Sequence, residues 1–282
     1  MARRSKNRIG DVLTRRQFGT AIASVAAGSL WAGSQIPVAI QLFSLRRQCE
    51  QDLEGTLAYI REVGFNGVEL AGFSGRTADR FKALLDENSL TCCGSHTPLP
   101  ELMGAKFDNT VEENAMLHNR NLVIPALPQN YEASAAGWKA AAVLLNEIAV
   151  KLHTRGMRIG YHNHDVEFHD INGVLPWALF YRETRSDVIL QLDTGNARIA
   201  GADPASLVRQ YPGRAVTVHV KDYLPGHLDP VIGSSEFDWA RFVTVCESEG
   251  ATEWFIIEHD CLHREEVKIC FEAFQRLRAR RQ

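Results

Sequence analysis

Residues 143–164 read VLLNEIAVKLHTRGMRIGYHNH and contain one complete helix–turn–strand unit. Apolar residues recur at three- to four-residue intervals, which predicts an amphipathic helix with a buried stripe formed by Val143, Leu144, Ile148 and Leu152. Gly156 follows this helix, at the position where helices commonly end with a residue in the left-handed conformation. The apolar run Met157–His162 then predicts a strand, and polar side chains stand directly at its end.

The same unit repeats along the chain. The strand candidates are Pro37–Phe43, Gly67–Leu70, Leu90–Ser95, Asn121–Ile124, Met157–His162, Val188–Leu192, Ala215–Val220 and Trp254–Glu258. Amphipathic helical patterns separate them, and Gly64 and Gly250 resemble Gly156 in position. Eight consecutive βα units predict an α/β protein, a closed (β/α)8 TIM barrel over residues 36–282. No glycine-rich phosphate turn follows the first strand, which argues against a doubly wound sheet.

Composition and charge agree with a globular enzyme-sized body. The chain has 282 residues, 45% of them hydrophobic, and a net charge of −3. Residues 1–16 hold six basic residues and one acidic residue, a net +5, so the remainder carries −8. An acidic body repels phosphate backbones, so we expect no nucleic-acid partner. Six cysteines form no C-x-x-C pair, and we expect them to be buried thiols.

The basic start of the chain has the pattern of an export signal. Thr14-Arg15-Arg16-Gln17-Phe18 resembles a twin-arginine signal and precedes a mildly apolar run rich in small residues. We therefore predict a signal segment over residues 1–35, recognised by the twin-arginine translocation machinery, and a periplasmic location. An uncleaved anchor and an ordinary amphipathic helix are the alternatives.

Polar residues cluster at the predicted strand ends, where barrel enzymes carry their chemistry. Glu69 follows the second strand, and His96 follows the third. Four consecutive ends from the fifth to the eighth strand deliver two imidazoles and two carboxylates, which are His162, Asp193, His219 and Glu258. These residue types suit one divalent ion of Mn, Co, Zn, Fe or Mg. Taken singly, Asp193 could merely cap a helix, and Glu258 could be a salt-bridge partner.

The ordered set of motifs resembles the sugar phosphate isomerase/epimerase family, the xylose isomerase-like barrels, over roughly residues 37–275. The matching segments are Gln41–Arg46, Gly64–Leu70, Tyr161–Asp165, Asp193–Asn196, His219–Asp222 and Ile257–Glu258. In many relatives the strand-five ligand is a glutamate, and this chain has His162 there. The change removes one of the two metal-bound glutamates that transfer protons in the family's epimerases.

The resemblance implies a divalent-metal-dependent sugar isomerase or epimerase that works through a metal-stabilised enediolate on a sugar or keto-sugar. The metal acts as a Lewis acid on the substrate oxygens. Glu258 is the first candidate for the general base, and His162 and Lys221 complete the expected catalytic set. The expected substrate-binding residues are Glu69, His96, His164, Asn196 and Lys221.

Three other functions remain open at this point. Expulsion of a β-substituent from the same enediolate would make the protein a keto-sugar or inosose dehydratase, or another lyase. An exported, non-catalytic sugar-binding protein would keep the barrel and the metal. An apurinic endonuclease relative would carry a histidine three residues after Asp193, and the chain has Asn196 there.

Overall fold

The computed structural model describes residues 35–260 and 263–280. The predicted twin-arginine signal therefore lies outside the described residues, apart from Gln35. In the part of the chain that is described, no helix has both the length and the apolar character needed to cross a bilayer.

Eight parallel strands form a closed barrel in chain order, as predicted. They are β1 (Val38–Gln41), β2 (Gly67–Leu70), β3 (Thr91–His96), β4 (Asn121–Ile124), β5 (Arg158–His162), β6 (Ile189–Asp193), β7 (Thr217–Val220) and β8 (Trp254–Ile257). The barrel closes where β1 pairs with β8, with Ala39 opposite Ile256. The first predicted strand was too long, because the Gln41 side chain accepts a hydrogen bond from the Phe43 amide and starts a 3-10 turn.

Helices cover the outside of the barrel. They are α1 (Arg46–Gln51), α2 (Leu53–Val63), α3 (Ala78–Glu87), α4 (Phe107–Met116), α5 (Gln129–Glu132), α6 (Ala135–His153), α7 (Pro176–Glu183), α8 (Thr194–Ile199), α9 (Pro204–Gln210), α10 (Trp239–Val245) and α11 (Arg264–Ala279). The predicted stripe on α6 was partly wrong, since Val143 is 50% exposed. Ile148 and Leu152 are buried as predicted, and Leu145 completes the buried face, since spacings of three and four residues keep the three side chains on one side of the helix.

Two of the three predicted glycine turns have left-handed backbone. Gly64 has φ 111° and Gly156 has φ 69°. The prediction for Gly250 was wrong, because the following residue, Ala251, takes the left-handed conformation with φ 52°. Gly250 is needed for space, since a Cβ atom there would lie 2.8 Å from the Thr252 hydroxyl.

The barrel interior changes from apolar to polar toward the carboxyl ends of the strands. Ala39, Cys93 and Ile256 form a small cluster with Trp254, separate from the main core between strands and helices. Side chains two residues apart on a strand share a face, so Gln41 and Glu258 stand above Ala39 and Ile256. All five cysteines in the described ranges are buried free thiols, which confirms that prediction for them.

Candidate metal centre

The four predicted metal ligands meet at the carboxyl end of the barrel. His162 ends β5, Asp193 ends β6, His219 lies in β7, and Glu258 follows β8. Each offers one ligand atom, and these atoms all lie within 4.8 Å of one another. Successive parallel strands carry the four side chains to the same rim, so convergence follows from the topology. The cluster can hold a single cation.

Asp193 supplies the clearest sign that a cation fits this cluster. Its Oδ1 accepts a hydrogen bond of 2.6 Å from the Asn196 amide and so caps α8. Its Oδ2 is buried with no hydrogen-bond partner among the described residues, 3.9 Å from His219 Nδ1. Burial raises the pKa of Asp193, although the Lys221 ammonium opposes the rise. Capping therefore explains one carboxylate oxygen, and a cation would satisfy the other.

His219 lies between two carboxylates. Its Nδ1 is 2.7 Å from Glu258 Oε2, and its Nε2 is 2.6 Å from Glu69 Oε2. Burial by itself lowers the pKa of His219, but Glu69 and Glu258 outweigh it and raise the pKa to about 10. In this state the ring is a cation that donates from both nitrogens. An ion at Nδ1 would take the place of one proton, while Glu69 continues to orient the ring through Nε2.

Glu258 carries the accessible carboxylate of the cluster, with 16% of its side chain exposed. Its Oε1 is 3.1 Å from Lys221 Nζ, which also lies 3.7 Å from Asp229. Burial favours the neutral acid, yet the His219 hydrogen bond and the Lys221 charge hold the pKa of Glu258 well below its usual range. Glu258 is therefore an ionised, partly exposed carboxylate with a cation beside it.

Glu69 lies beneath the cluster and has no exposed surface. Its carboxylate accepts hydrogen bonds from Gln41 Nε2, Gln191 Nε2 and His219 Nε2. Gly94 opposite makes this possible, because a Cβ atom there would lie 2.7 Å from Glu69 Oε1. In this geometry Glu69 orients His219, and the contact with substrate expected from the sequence stays a prediction.

The remaining predicted substrate residues surround the cluster at different depths. The His96 ring stacks on His219 at 5.3 Å, and His96, His162 and His219 form a second group able to hold an ion. The His164 ring stands 5.2 Å from that of His162. Asn196 is already engaged, because its Nδ2 donates to the backbone oxygen of Asn163 at 3.0 Å.

Sequence reasoning missed two side chains that hold the strand ends in place. Asn163 accepts the Asp193 amide at 2.8 Å through its side-chain oxygen and so ties the end of β5 to that of β6. Gln191 lies two residues before Asp193 inside β6 and contacts Glu69, His96 and His162. A lone amide in the apolar run Val188–Leu192 was the available signal for Gln191, because burying an amide requires partners.

The loop that follows β7 is anchored next to Lys221. Asp222 is buried and accepts hydrogen bonds from the backbone amides of Tyr223 and Gly233. Arg198 of α8 donates to Asp222 at 2.7 Å and lies 4.6 Å from the Phe237 ring. These contacts fix the loop, and with it the position of Lys221, against α8.

Comparison with known proteins agrees with this architecture. The sequence model of the family described as xylose isomerase-like TIM barrel matches residues 57–280. An inosose dehydratase from Clostridium beijerinckii is 23% identical in an alignment of 202 positions, and the match covers 64% of this chain and 67% of the relative.

Solved structures of proteins with several different named activities have the same fold. A sugar phosphate isomerase/epimerase from Parabacteroides distasonis superposes with a TM-score of 0.72 at 19% identity, covering 83% of this chain and 96% of its own. An L-ribulose 3-epimerase superposes with a TM-score of 0.66 at 15% identity, covering 88% and 96%. A probable 3-DHS dehydratase from Bacillus anthracis has a TM-score of 0.61 at 15% identity, covering 86% and 98%. At these identities the likeness shows the fold.

Proposed function

This chain belongs to the xylose isomerase-like TIM barrel family, and we propose that it is a divalent-metal-dependent isomerase or epimerase of a sugar or keto-sugar. The observation that carries the proposal is the cluster of His162, Asp193, His219 and Glu258, in which Asp193 Oδ2 has no hydrogen-bond partner among the residues that the structure describes. When bound, a divalent ion would supply Lewis-acid stabilisation of negative charge on the substrate oxygens.

The residues of the chain divide the remaining work. Glu258 accepts the proton from the carbon next to the carbonyl, because it is the ionised and partly exposed carboxylate of the cluster. Lys221, whose pKa its carboxylate neighbours raise against the effect of burial, stays protonated and faces the same space. It can donate to a substrate oxygen or return a proton. His162 serves as a neutral ligand, since burial and the neighbouring His219 keep its pKa well below its usual range.

A dehydratase is the second candidate, and the inosose dehydratase relative favours it. Its first step is the same proton abstraction by Glu258. The two reactions differ afterwards, because in the dehydratase the hydroxyl group on the neighbouring carbon takes up a proton and leaves as water, whereas the isomerase or epimerase returns a proton to carbon.

Proton abstraction is the step that both candidates share, so the test measures it directly. The purified protein is analysed for bound metal and then incubated in D2O with D-fructose, D-psicose, L-ribulose and an inosose. NMR detects deuterium entering a carbon–hydrogen position or the loss of water. We expect one ion per chain and exchange in the wild type, and loss of both in Asp193→Ala. Glu258→Ala should abolish exchange. Glu112→Ala, which removes an exposed carboxylate from α4, is the matched control.

Each result decides between the functions. Exchange without loss of water supports the isomerase or epimerase, and release of water supports the dehydratase. A retained ion with neither exchange nor loss of water would favour the sugar-binding protein. Failure to retain an ion after incubation with Mn, Co or Zn would overturn the proposal.

We also propose that the enzyme is exported by the twin-arginine pathway, on the strength of Arg15 and Arg16. Fractionation of cells that produce the full chain tests this proposal. Arg15→Lys combined with Arg16→Lys should leave the protein in the cytoplasm.

A further inference from the structure

The side-chain amides of Gln41 and Gln191, buried below the candidate metal centre, can each be oriented in only one way. Gln41 Oε1 accepts from the Phe43 amide at 3.0 Å, so its Nε2 donates to Glu69 Oε2 at 2.7 Å. Gln191 Nε2 donates to Glu69 Oε1 at 2.6 Å and to Thr217 Oγ1 at 3.0 Å. A carboxylate accepts and does not donate, so the NH2 group of Gln191 must face Glu69.

The side-chain oxygen of Gln191 therefore faces two histidines. It lies 2.8 Å from His96 Nε2 and 3.2 Å from His162 Nδ1. A carbonyl oxygen has two lone pairs and no proton, so both ring nitrogens must carry hydrogen to bind it. Glu69 reinforces the first contact, because its Oε2 is 3.4 Å from His96 Nε2.

We infer that Gln191 is a positioning residue that fixes the tautomers of His162 and His96. His162 is held with hydrogen on Nδ1 and presents Nε2 as its ligand nitrogen, while His96 is held with hydrogen on Nε2 and keeps its lone pair on Nδ1. The functional consequence rests on the proposed metal site, whereas the tautomers themselves do not.

The need for such a residue follows from the histidine at position 162. A carboxylate ligand offers lone pairs on both oxygens, whereas a neutral imidazole offers one lone pair on either of two nitrogens. Without a partner that selects one tautomer, a fraction of the protein molecules would carry a hydrogen on His162 Nε2, where the ion must bind. Gln191 disfavours that competing tautomer. Because Glu69, 122 residues away in sequence, orients the Gln191 amide, it indirectly sets the hydrogen position on His162.

Nitrogen NMR of the metal-free full-length protein labelled with 15N-histidine reads the tautomers directly. Spectra of His162→Asn and His96→Asn identify the two rings among the ten histidines of the chain. We expect the wild type to show a protonated Nδ1 and a bare Nε2 for His162, and the reverse for His96. A protonated Nε2 on His162 would overturn the inference.

The variant Gln191→Met keeps the length of the side chain and removes its polar atoms. We expect mixed tautomers at His162 and a Kd for Co or Zn about tenfold to a hundredfold higher, measured by competition with a chelator. Gln129→Met, on the exposed start of α5, should leave both readouts unchanged. Unaltered ring signals and an unaltered Kd in Gln191→Met would contradict the inference. If the wild type showed the expected tautomers but bound no ion, the proposed function would be wrong and the tautomer assignment would still hold.

Discussion

In the proposed metal site, His162 would supply a neutral nitrogen ligand, whereas the resemblance implies a negatively charged glutamate oxygen at this position in many relatives. Imidazole suits Zn, Co, Ni and Fe, whereas carboxylate suits Mg and Mn. We expect the wild type to prefer Zn or Co over Mg. His162→Glu should lower the ratio of the Zn affinity to the Mg affinity by about tenfold or more. Competition titrations with a fluorescent chelator measure both constants.

The matched control for this preference is His153→Gln, which changes an exposed histidine at the end of α6. That variant should keep the wild-type order of metals. If His162→Glu also kept it, the ion would not contact position 162, and the His96, His162 and His219 group would lose its support as well.

His219 must lose a proton when an ion binds at Nδ1. Its neighbours raise its pKa to about 10, so the ring is protonated at neutral pH in the metal-free protein. Ion binding at pH 7 should therefore release about one proton. As the pH rises from 6 to 8, the Kd should fall about tenfold for each pH unit. Calorimetry in two buffers with different ionisation enthalpies counts the protons. A heat that does not depend on the buffer would show that the ion avoids His219.

At the scale of the elements, the turn after β5 contains a buried carboxyl group that no proposed step uses. Glu167 accepts a hydrogen bond from the Tyr161 hydroxyl and a second, of 2.9 Å, from the His164 amide. Burial raises its pKa to about 7. The folded state thus holds this proton more tightly than the unfolded state, whose pKa is about 4.3. The unfolding free energy should fall as the pH rises from about 4.3 to about 7 and then level off.

Glu167→Gln cannot ionise and should lose this part of the pH dependence. Relative to the wild type, its unfolding free energy should rise by about 2–3 kcal/mol between pH 4.5 and pH 8. Urea denaturation at several pH values measures the difference. Glu112→Gln, on the exposed face of α4, should follow the wild-type curve. Parallel curves for Glu167→Gln and the wild type would mean that Glu167 is ionised throughout this range.

The elements were predictable to different degrees for physical reasons. The strands could be located to within about two residues, because fully buried parallel strands are continuous apolar runs bounded by turns. Asp193 and Glu258 stood out because each follows such a run. The exposed Val143 was misjudged, since apolar residues crowd α6 on more than one face. Gln191 could not be given a role, because its partners Glu69 and His96 come from two other strands.

At the scale of the whole molecule, barrel closure brings distant residues together. Chain order and the rule that barrel enzymes carry their chemistry at the carboxyl ends of the strands were enough to predict that the four candidate ligands share a rim. The polar layer beneath them depends on which side chains cross the interior, such as Glu69 reaching His219. That depends on register and on the small residue Gly94, which a pattern of apolar and polar residues does not specify.

Barrel closure would also link the proposed metal binding to the stability of the entire barrel, because the four candidate ligands come from β5, β6, β7 and the end of β8. An ion that binds only the folded state stabilises it by about 2.7 kcal/mol when the free ion is about one hundred times the Kd. For a domain of this size we expect a chelator to lower the Tm by about 5–10 °C. Asp193→Ala should melt at the same temperature with and without chelator, whereas Glu112→Ala should respond like the wild type. A wild-type Tm that changes with neither chelator nor added Zn or Co would mean that no ion binds there. The four side chains would then interact only through His219, as a buried ion-pair network.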